Sequence, residues 1–304
     1  MYVLGTALTG PLPPPVPGGM WWFQRGVCAL PAALVTWSLS TFVVSYVTAV
    51  LLGHVDLLVP YISDASAVVP ERCVFGFMLS ISSFLGVATV YVRYKQVQAL
   101  ALGGELKLHR LNCAGMVLGI MSSVGMCVVA NFQKTTIMSV HLLGAGLTFG
   151  CGALYILVQT GVSYHMQPRF HGRDILWART AVGLWTMASV IISFLSSAIL
   201  YDDLPGVDVD RKIRWRPEET GYTAHLVSAV AEWCLAFSFI CFFLTYIRDF
   251  QVRSSCSPQW QSKIKHYHCK TSFSDLFCIT NYICMSRAEC DTFNVTAHLS
   301  CFIS

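Results

Sequence analysis

The stretch Thr223–Ile247 reads TAHLVSAVAEWCLAFSFICFFLTYI and contains a single charged residue, Glu232. A helix rises ~1.5 Å per residue, so this stretch is long enough to cross the ~30 Å hydrocarbon core of a bilayer. In lipid, every backbone N–H and C=O must find its partner within the segment. The stretch is therefore predicted to be a transmembrane helix.

Five further apolar stretches precede it, separated by polar loops. The six predicted spans are Val27–Leu52, Cys73–Val92, Leu111–Ala130, Ile137–Val162, Ala178–Leu200 and Thr223–Ile247. The chain is 55% hydrophobic and 12% charged, with a mean hydropathy of +0.58, which is outside the range of ordinary soluble domains. The sequence predicts an all-α, polytopic membrane protein, a six-transmembrane-helix bundle, and its modest net charge of +4 gives no reason to expect a nucleic-acid partner.

Basic residues are distributed unevenly between the two sets of loops. One set contains Arg25, Arg93, Lys95, Lys107, Arg110, Arg169, Arg173, Arg179, Arg248 and Arg253. The other set contains Arg72, Lys134 and a long loop in which four basic residues are outnumbered by acids. Lys and Arg accumulate on the cytoplasmic side of a membrane, so both termini are predicted to be cytosolic.

The two ends of the chain differ from the bundle in composition. Residues 1–19 contain the run Gly10–Gly19, which is rich in proline and cannot form a helix, so we expect a disordered leader. Met20 could serve as a start as well as Met1. Residues 20–251 form the predicted six-span membrane domain. Residues 252–304 are predicted to be a disordered cytosolic tail containing six of the thirteen cysteines, where thiols stay reduced.

No catalytic, cofactor or metal signature is present in the sequence. It has no phosphate-binding glycine loop, nucleophile elbow or His-Glu-x-x-His motif, so an enzyme is not expected. His266-Tyr-His268-Cys269 offers zinc ligands but lacks a second paired element at finger spacing. The pairs Gly115/Gly119 and Gly146/Gly150 are predicted to be internal helix-packing surfaces.

Polar residues inside or beside the spans are the candidate functional residues. They are Asn131, Gln133, His141, His225 and Glu232, all in the half of the bundle predicted to face the lumen. A carboxylate within a span needs a partner or a hydrated cavity, so these residues are predicted to converge on one lumenal pocket in which histidine charge could act as a pH switch. The alternative is a protonated Glu232 hydrogen-bonded to a neighbouring helix, with both histidines at the membrane interface.

Several loop and span-end strings resemble those of a known family. They are Met20-Trp-Trp-Phe-Gln24, Pro60-Tyr-Ile-Ser-Asp64, Tyr91-Val-Arg-Tyr-Lys-Gln-Val97, Ala130-Asn-Phe-Gln133, Tyr164-His-Met-Gln-Pro168, Trp215-Arg-Pro-Glu218 with Tyr222 and His225, Ala231-Glu-Trp233 and Phe243-Leu-Thr-Tyr-Ile-Arg-Asp-Phe-Gln251. In this order they resemble the DNA damage-regulated autophagy modulator (DRAM) proteins, and most of all the second vertebrate paralogue. The residues before Met20 and after Gln251 do not resemble the family.

The resemblance implies a non-enzymatic protein of the lysosomal membrane that promotes autophagy and sometimes apoptosis. Its implied partners are membrane lipids and unidentified proteins of the autophagy or lysosomal machinery. Two other functions remain open from the residues: a transporter or channel for protons, ions or a small solute, and a lipid-handling protein. Tyr94-Lys-Gln-Val97 has the tyrosine-x-x-bulky form of an endosomal sorting motif, so Tyr94 and Val97 are candidate sorting residues.

Overall fold

Six long helices make up the part of the chain that the structure describes. The computed structural model describes residues 19–58, 60–100, 106–167, 172–203 and 212–252, with side chains for 28–58, 60–100, 106–167, 172–200 and 212–250. The helices are α1 (Gly19–Leu51), α2 (Glu71–Leu100), α3 (Leu106–Asn131), α4 (Met138–His165), α5 (Arg173–Asp203) and α6 (Tyr222–Val252). The prediction of an all-α fold with six apolar helices is confirmed. The predicted leader before Gly19 and the tail beyond Val252 lie outside the described residues.

The helices extend beyond the predicted spans. α2 continues to Leu100, past the predicted end at Val92, and α5 begins at Arg173, before the predicted start at Ala178. The predicted second span stopped before the charged residue Arg93. Arg93 is instead buried inside α2, and Arg179, the second residue of the predicted fifth span, is buried inside α5.

The outer surface of the bundle is apolar. Phe84 on α2 and Phe194 on α5 are each 73% exposed, and Leu143 on α4 is 63% exposed. A soluble monomer rarely exposes large apolar side chains along the whole length of its helices. All six helices are long and apolar enough to cross a membrane. The protein is therefore a multi-pass membrane protein whose exposed apolar faces contact lipid.

The helices form a closed ring in chain order. Each helix packs against the next, and α6 returns to pack against α1. We call the end at which α1 begins and α6 ends the terminal end, and the other the opposite end. The described loop residues 52–58, 60–70, 132–137 and 212–221 lie at the opposite end. Because neighbouring helices are antiparallel, residues distant in sequence meet at each end.

Close packing between α3 and α4 depends on glycine. A Cβ added at Gly125 would lie 2.6 Å from the backbone nitrogen of Thr148 and 2.7 Å from the carbonyl oxygen of Gly144. α4 contains a π-helical segment there, Gly146–Cys151, and the hydroxyl of Ser122 donates to the Thr148 carbonyl oxygen at 2.8 Å. The hydroxyl thus gives this carbonyl, within the irregular segment, a partner on the adjacent helix.

The two predicted glycine pairs behave differently. Gly115 faces the side chain of Gln159, and Gly119 faces Val90 and Tyr155, so this pair is a packing surface inside the bundle as predicted. The prediction for Gly146 and Gly150 is wrong, because a Cβ added at either would meet nothing within 4 Å. The close contacts on α4 are instead made at Gly144 and Gly152, which lie on a different face of the helix.

Candidate functional site

A buried ionic cluster closes the opposite end of the bundle. Asp64 in the α1–α2 loop is 1% exposed and forms an ion pair with Lys134 from the α3–α4 loop. Its other carboxylate oxygen lies 3.8 Å from Nε2 of His225, at the start of α6. We call Asp64, Lys134 and His225 the opposite-end cluster. It ties together two loops and a helix that are far apart in sequence.

Aromatic rings enclose this cluster. Trp215 stacks on the His225 imidazole with centroids 4.6 Å apart, and Tyr61 meets the same ring edge-on at 4.8 Å. The ammonium of Lys134 lies 5.6 Å from the centre of the Tyr61 ring. Burial, with a smaller contribution from the negative charges of Glu232 and Asp64, raises the pKa of Tyr61 from 10.0 to about 12. Tyr61 therefore remains a neutral phenol at any physiological pH.

Glu232 lies deeper in the bundle, two turns of α6 beyond His225. Its Oε2 accepts a hydrogen bond of 3.0 Å from the backbone N–H of Ile62. The adjacent Trp233 donates from its indole nitrogen to the Pro60 carbonyl oxygen at 2.8 Å. The segment Pro60–Asp64 therefore docks onto α6 through backbone groups. The partner of Glu232 is a loop backbone and not the side chain of a neighbouring helix.

The remaining predicted site residues occupy different environments. His141 is 8% exposed, and its Nδ1 lies 2.8 Å from the Phe132 carbonyl oxygen. Gln133 is buried and donates to the Ala130 carbonyl oxygen at 3.4 Å. Asn131 is exposed and bonds to its own helix through the Cys127 carbonyl oxygen at 2.8 Å. The structure thus places all five predicted residues in the opposite half of the bundle, but Asn131 is exposed at the end of α3, whereas the other four are buried or half-buried.

A second buried ionic cluster lies near the terminal end. Arg93 on α2 and Arg179 on α5 both contact Oδ2 of Asp249 on α6, at 2.9 Å and 2.6 Å. The three side chains are at most 3% exposed. Each guanidinium carbon also lies 5.1 Å from the centre of the Tyr246 ring. We call Arg93, Arg179 and Asp249 the terminal-end cluster.

Hydrogen bonds extend this cluster to α4. Arg179 donates to Ser163 on α4 at 2.6 Å and to Thr245 on α6 at 3.0 Å. Arg93 donates to Gln159 on α4 at 3.4 Å and to Gln96 on its own helix at 2.8 Å. A carboxylate and two guanidiniums therefore join α2, α4, α5 and α6 in one network. Charges at this depth are tolerated because they are paired with one another.

An elongated cavity of about 120 Å³ lies inside the bundle. It is lined mainly by apolar side chains of α1, α2, α3, α4 and α6. Glu232 and His141 line it near the opposite end, and Tyr155 and Phe243 line it farther along. Two of the five predicted site residues therefore share a cavity, and that cavity is apolar rather than the hydrated pocket that was predicted.

The candidate sorting motif is part of α2. Tyr94 is half-buried, and its hydroxyl lies 4.0 Å from the sulfur of Cys113. Val97 is 0% exposed and packs in a core group with Leu108, Val162 and Met166. In this conformation the bulky residue of the motif is not available to an adaptor, because it is part of the packed bundle.

Residues 26–252 match the family described as the Frag1/DRAM/Sfk1/Cwh43P N-terminal domain, a range that includes all six helices except the first seven residues of α1. The chain belongs to this family. The predicted resemblance is confirmed, and it covers the elements that carry both ionic clusters.

Individual relatives define the relationship further. The chain is 51% identical over 232 residues to DNA damage-regulated autophagy modulator protein 2 of Bos taurus, covering 76% of this chain and 87% of the relative. It is 41% identical over 229 residues to DNA damage-regulated autophagy modulator protein 1 of Homo sapiens, covering 75% and 93%. It is 27% identical over 198 residues to "Modulator of macroautophagy TMEM150B" of Danio rerio, covering 65% and 73%. No solved structure matches the chain.

Sequence reasoning missed most members of the two clusters. Asp64 and Tyr61 lie within the string Pro60–Asp64 that carried the family resemblance, which was the one available signal for them. Arg93 and Arg179 were counted as loop charges. Within the described ranges, no three His, Cys, Asp or Glu side chains come together as metal ligands. The two ionic clusters hold helices and loops together through buried ion pairs.

Proposed function

We propose that this chain is a non-enzymatic multi-pass protein of the lysosomal membrane that promotes autophagy, with apoptosis as a second process that it favours. The observation that carries the proposal is the similarity over 232 residues to proteins named autophagy modulators, which includes the ring and both ionic clusters. The zebrafish relative, at 27% identity, is also named a modulator of macroautophagy. Relatives at 51% and 27% identity are both named autophagy modulators. This supports assigning the role to the helical bundle.

The geometry supports a role without catalysis. The buried charges within the described ranges form ion pairs and hydrogen bonds that cross between helices or fix loops. Glu71, at the start of α2, is likewise paired with His54. Charged groups that are paired in this way hold a structure in shape. We therefore infer that the bundle acts through partners or through the membrane.

The proposed orientation has both termini in the cytosol. Removing the buried residues Arg93, Arg179 and Lys134 from the basic count leaves nine basic residues in the described side-chain ranges. The terminal end keeps Lys95, Lys107, Arg110, Arg173 and Arg248, and the opposite end keeps Arg72, Lys212, Arg214 and Arg216. Five against four is a small excess at the terminal end, and it agrees in sign with a cytosolic terminal end under the positive-inside rule.

Orientation is tested with one epitope tag inserted after the exposed Glu218 and a second at the C-terminus. Cells are stained after permeabilising only the plasma membrane. We expect the C-terminal tag to be stained and the Glu218 tag to require permeabilised lysosomes. Staining of the Glu218 tag under the mild condition would reverse the orientation. Co-localisation of both tags with a lysosomal marker tests the address in the same cells.

Function is tested by autophagic flux, measured as turnover of the lipidated autophagosome marker with and without a block on lysosomal degradation. We expect depletion to lower flux and re-expression to restore it. An Asp249→Asn variant, in which the terminal-end cluster is broken, should not restore it. Apoptotic cells are counted in the same cultures. Unchanged flux after depletion and overexpression, with the protein correctly delivered, would reject the proposal.

A further inference from the structure

The walls of the internal cavity present hydrocarbon although they contain several hydroxyl groups. Ser122 donates to the Thr148 carbonyl oxygen, Ser123 to the Gly119 carbonyl oxygen, and Thr148 to the Gly144 carbonyl oxygen. These three hydroxyls are therefore already bonded to a helix backbone, and those of Ser38 and Tyr155 are bonded to the hydroxyls of Ser82 and Tyr246. The rest of this surface comes from side chains such as Phe75 and Ile240. An apolar cavity of this kind excludes water and can bind an apolar group.

One end of the cavity carries two hydrogen-bond acceptors that are not otherwise used. Glu232 is half-buried because it faces the cavity, and its Oε1 has no partner among the described residues. His141 has its Nδ1 directed at the Phe132 carbonyl oxygen, so this nitrogen carries the proton and donates. In the neutral ring Nε2 is then an acceptor, and within the described ranges nothing binds it. A guest that reached this end would need to donate hydrogen bonds.

The cavity is about as long as one lipid chain. Lining residues extend from His141 to Tyr155 on α4, ~21 Å along a helix, and from Glu232 to Phe243 on α6, ~16 Å. Half of a ~30 Å hydrocarbon core is ~15 Å, which is the depth that one acyl chain occupies in a leaflet. The lining therefore has the length of one acyl chain and carries its polar groups at one end, and the side chains around the ~120 Å³ space must move apart for a whole chain to enter.

The ring is least closed along the first half of α4. Residues 152–165 of α4 pack against α5, but residues 138–151 pack extensively only against α3. The cavity lining includes Ala145, Thr148 and Phe149 from this half, and Ala236 and Phe239 from α6. Phe149 and Phe239 contact each other, with ring centroids 6.2 Å apart, so the route for a lipid chain from the bilayer lies between α4 and α6 on the opposite-end side of this pair.

We propose that this cavity is a binding site for one long-chain amphiphile whose head group donates hydrogen bonds to Glu232 and His141. A primary amine and a primary hydroxyl share this donor chemistry. A protonated amine also forms an ion pair with the Glu232 carboxylate. The carboxylate of a fatty acid would instead face the Glu232 carboxylate, and both groups are hydrogen-bond acceptors. The site is independent of the role in autophagy proposed above, and its test does not rely on that role.

Binding is tested on the full-length protein in lipid nanodiscs. The probes are a long-chain amine, an alcohol and a fatty acid of equal chain length, each bearing a photo-crosslinking group near the chain end. We expect the amine and the alcohol to label peptides of α4 or α6, with the fatty acid at least tenfold weaker. A short-chain amine should not compete. Equal labelling by the fatty acid, or full competition by the short amine, would overturn the assignment.

Matched substitutions locate the site. Ala145→Phe fills the cavity, and Leu143→Phe places the same ring on the lipid-facing surface of the same helix. The first should lower labelling by amine and alcohol at least tenfold, and the second should leave it unchanged. Val129→Phe fills the cavity from α3 and serves if Ala145→Phe is not monodisperse. Labelling that survives a well-folded cavity-filling variant would reject the site.

The head-group contact is tested with Glu232→Gln, which keeps the side-chain shape and an oxygen able to accept from Ile62. Amine affinity should fall at least tenfold because the ion pair is lost, whereas alcohol affinity should change little. An equal loss for both probes would assign the contact to hydrogen bonding alone and the preferred head group to a hydroxyl. No change for either probe would show that the head group does not reach Glu232 and would overturn the proposed orientation.

Discussion

The two ionic clusters use buried charge in different ways. At the terminal end, the described residues place two guanidiniums on one carboxylate oxygen, and all three groups belong to helices. At the opposite end, Asp64 and Lys134 belong to loops, and only His225 lies on a helix. Arg is charged at every attainable pH and binds a carboxylate with fixed geometry, whereas Lys is a flexible point charge and His can lose its charge.

This difference separates a rigid end from an adaptable one. The terminal-end cluster fixes the relative positions of α2, α4, α5 and α6, because moving any one of them would break a bond to a buried guanidinium. The opposite-end cluster fixes loops onto the bundle while the helices beneath it enclose the cavity. Loops can rearrange at lower free energy than packed helices. We therefore expect perturbations to propagate through the whole fold from the first cluster and to stay local around the second.

The largest effect is expected from Asp249→Asn. Loss of the carboxylate leaves two buried guanidiniums without their shared counter-charge, which typically costs about 3–5 kcal/mol of unfolding free energy. Denaturant unfolding of the purified protein measures the loss. Asp174→Asn, at an exposed position in the first turn of α5, is the control and should change little. A loss below ~1 kcal/mol for Asp249→Asn would contradict a rigid terminal end.

A smaller and more local effect is expected from Asp64→Asn. Lys134 then loses its ion pair, but it lies in a loop and its long side chain can turn its ammonium toward water. The unfolding free energy should fall by about 1–3 kcal/mol. Hydrogen exchange should accelerate in loop 52–70 and stay slow in α6. Matching acceleration along the helices would show that both ends are equally coupled to the fold.

The two arginines of the terminal-end cluster should differ when each is replaced by lysine. Arg179→Lys removes the bonds to Ser163 and Thr245 and should cost about 1–2 kcal/mol. Arg93→Lys should cost less, because Nη2 of Arg93 has no hydrogen-bond partner among the described residues and the bond from Arg93 to Gln159 is long at 3.4 Å. Unfolding of the two variants side by side measures the difference. A larger loss of unfolding free energy for Arg93→Lys than for Arg179→Lys would show that the network depends more on α2 than on α5.

The smallest effect concerns alkaline pH at the opposite end. An unfolded tyrosine loses its proton near pH 10, but burial raises the pKa of Tyr61 to about 12. The stabilising contribution is complete below pH 10 and is lost as pH rises toward 12, by about 1 kcal/mol at pH ~11. Phenylalanine does not titrate, so Tyr61→Phe removes this pH dependence. The native chain should lose more unfolding free energy than the variant as pH rises, and the difference between the two should shrink. Parallel pH profiles would mean that Tyr61 is not buried by the loop.

The fold could be predicted because the decisive signal is local. The length and apolarity of Thr223–Ile247 determine a membrane-spanning helix without reference to any other residue. The ionic clusters could not be predicted, because Arg93 and Asp249 meet only after the ring closes. Charged residues at span ends look like loop residues in a sequence, and only the three-dimensional packing shows that they are buried.

The candidate site was predicted in part for the same reason. Glu232 was expected to need a partner, and it has one, but a backbone N–H carries no signal in the sequence. Asn131 and Gln133 are two positions apart, and the chain turns between them. One side chain therefore bonds back to α3 at the surface while the other is buried. Sequence position alone could not separate them, nor could it show which glycines of α4 face α3.

The spacing of the ionic residues along the helices also sets a hydrophobic thickness. Glu71 and Arg93 on α2 are 22 residues apart, ~33 Å along the axis, and His225 and Asp249 on α6 are 24 residues apart, ~36 Å. Sterol-rich bilayers have cores of ~32–33 Å, and thinner ones have ~27 Å. In a thick bilayer the helices can stand nearly upright with their charges at the head groups. In a thin bilayer the bundle must tilt or the lipid around it must thicken, and either change costs free energy. The free energy of the protein in a membrane therefore depends on the thickness of that membrane.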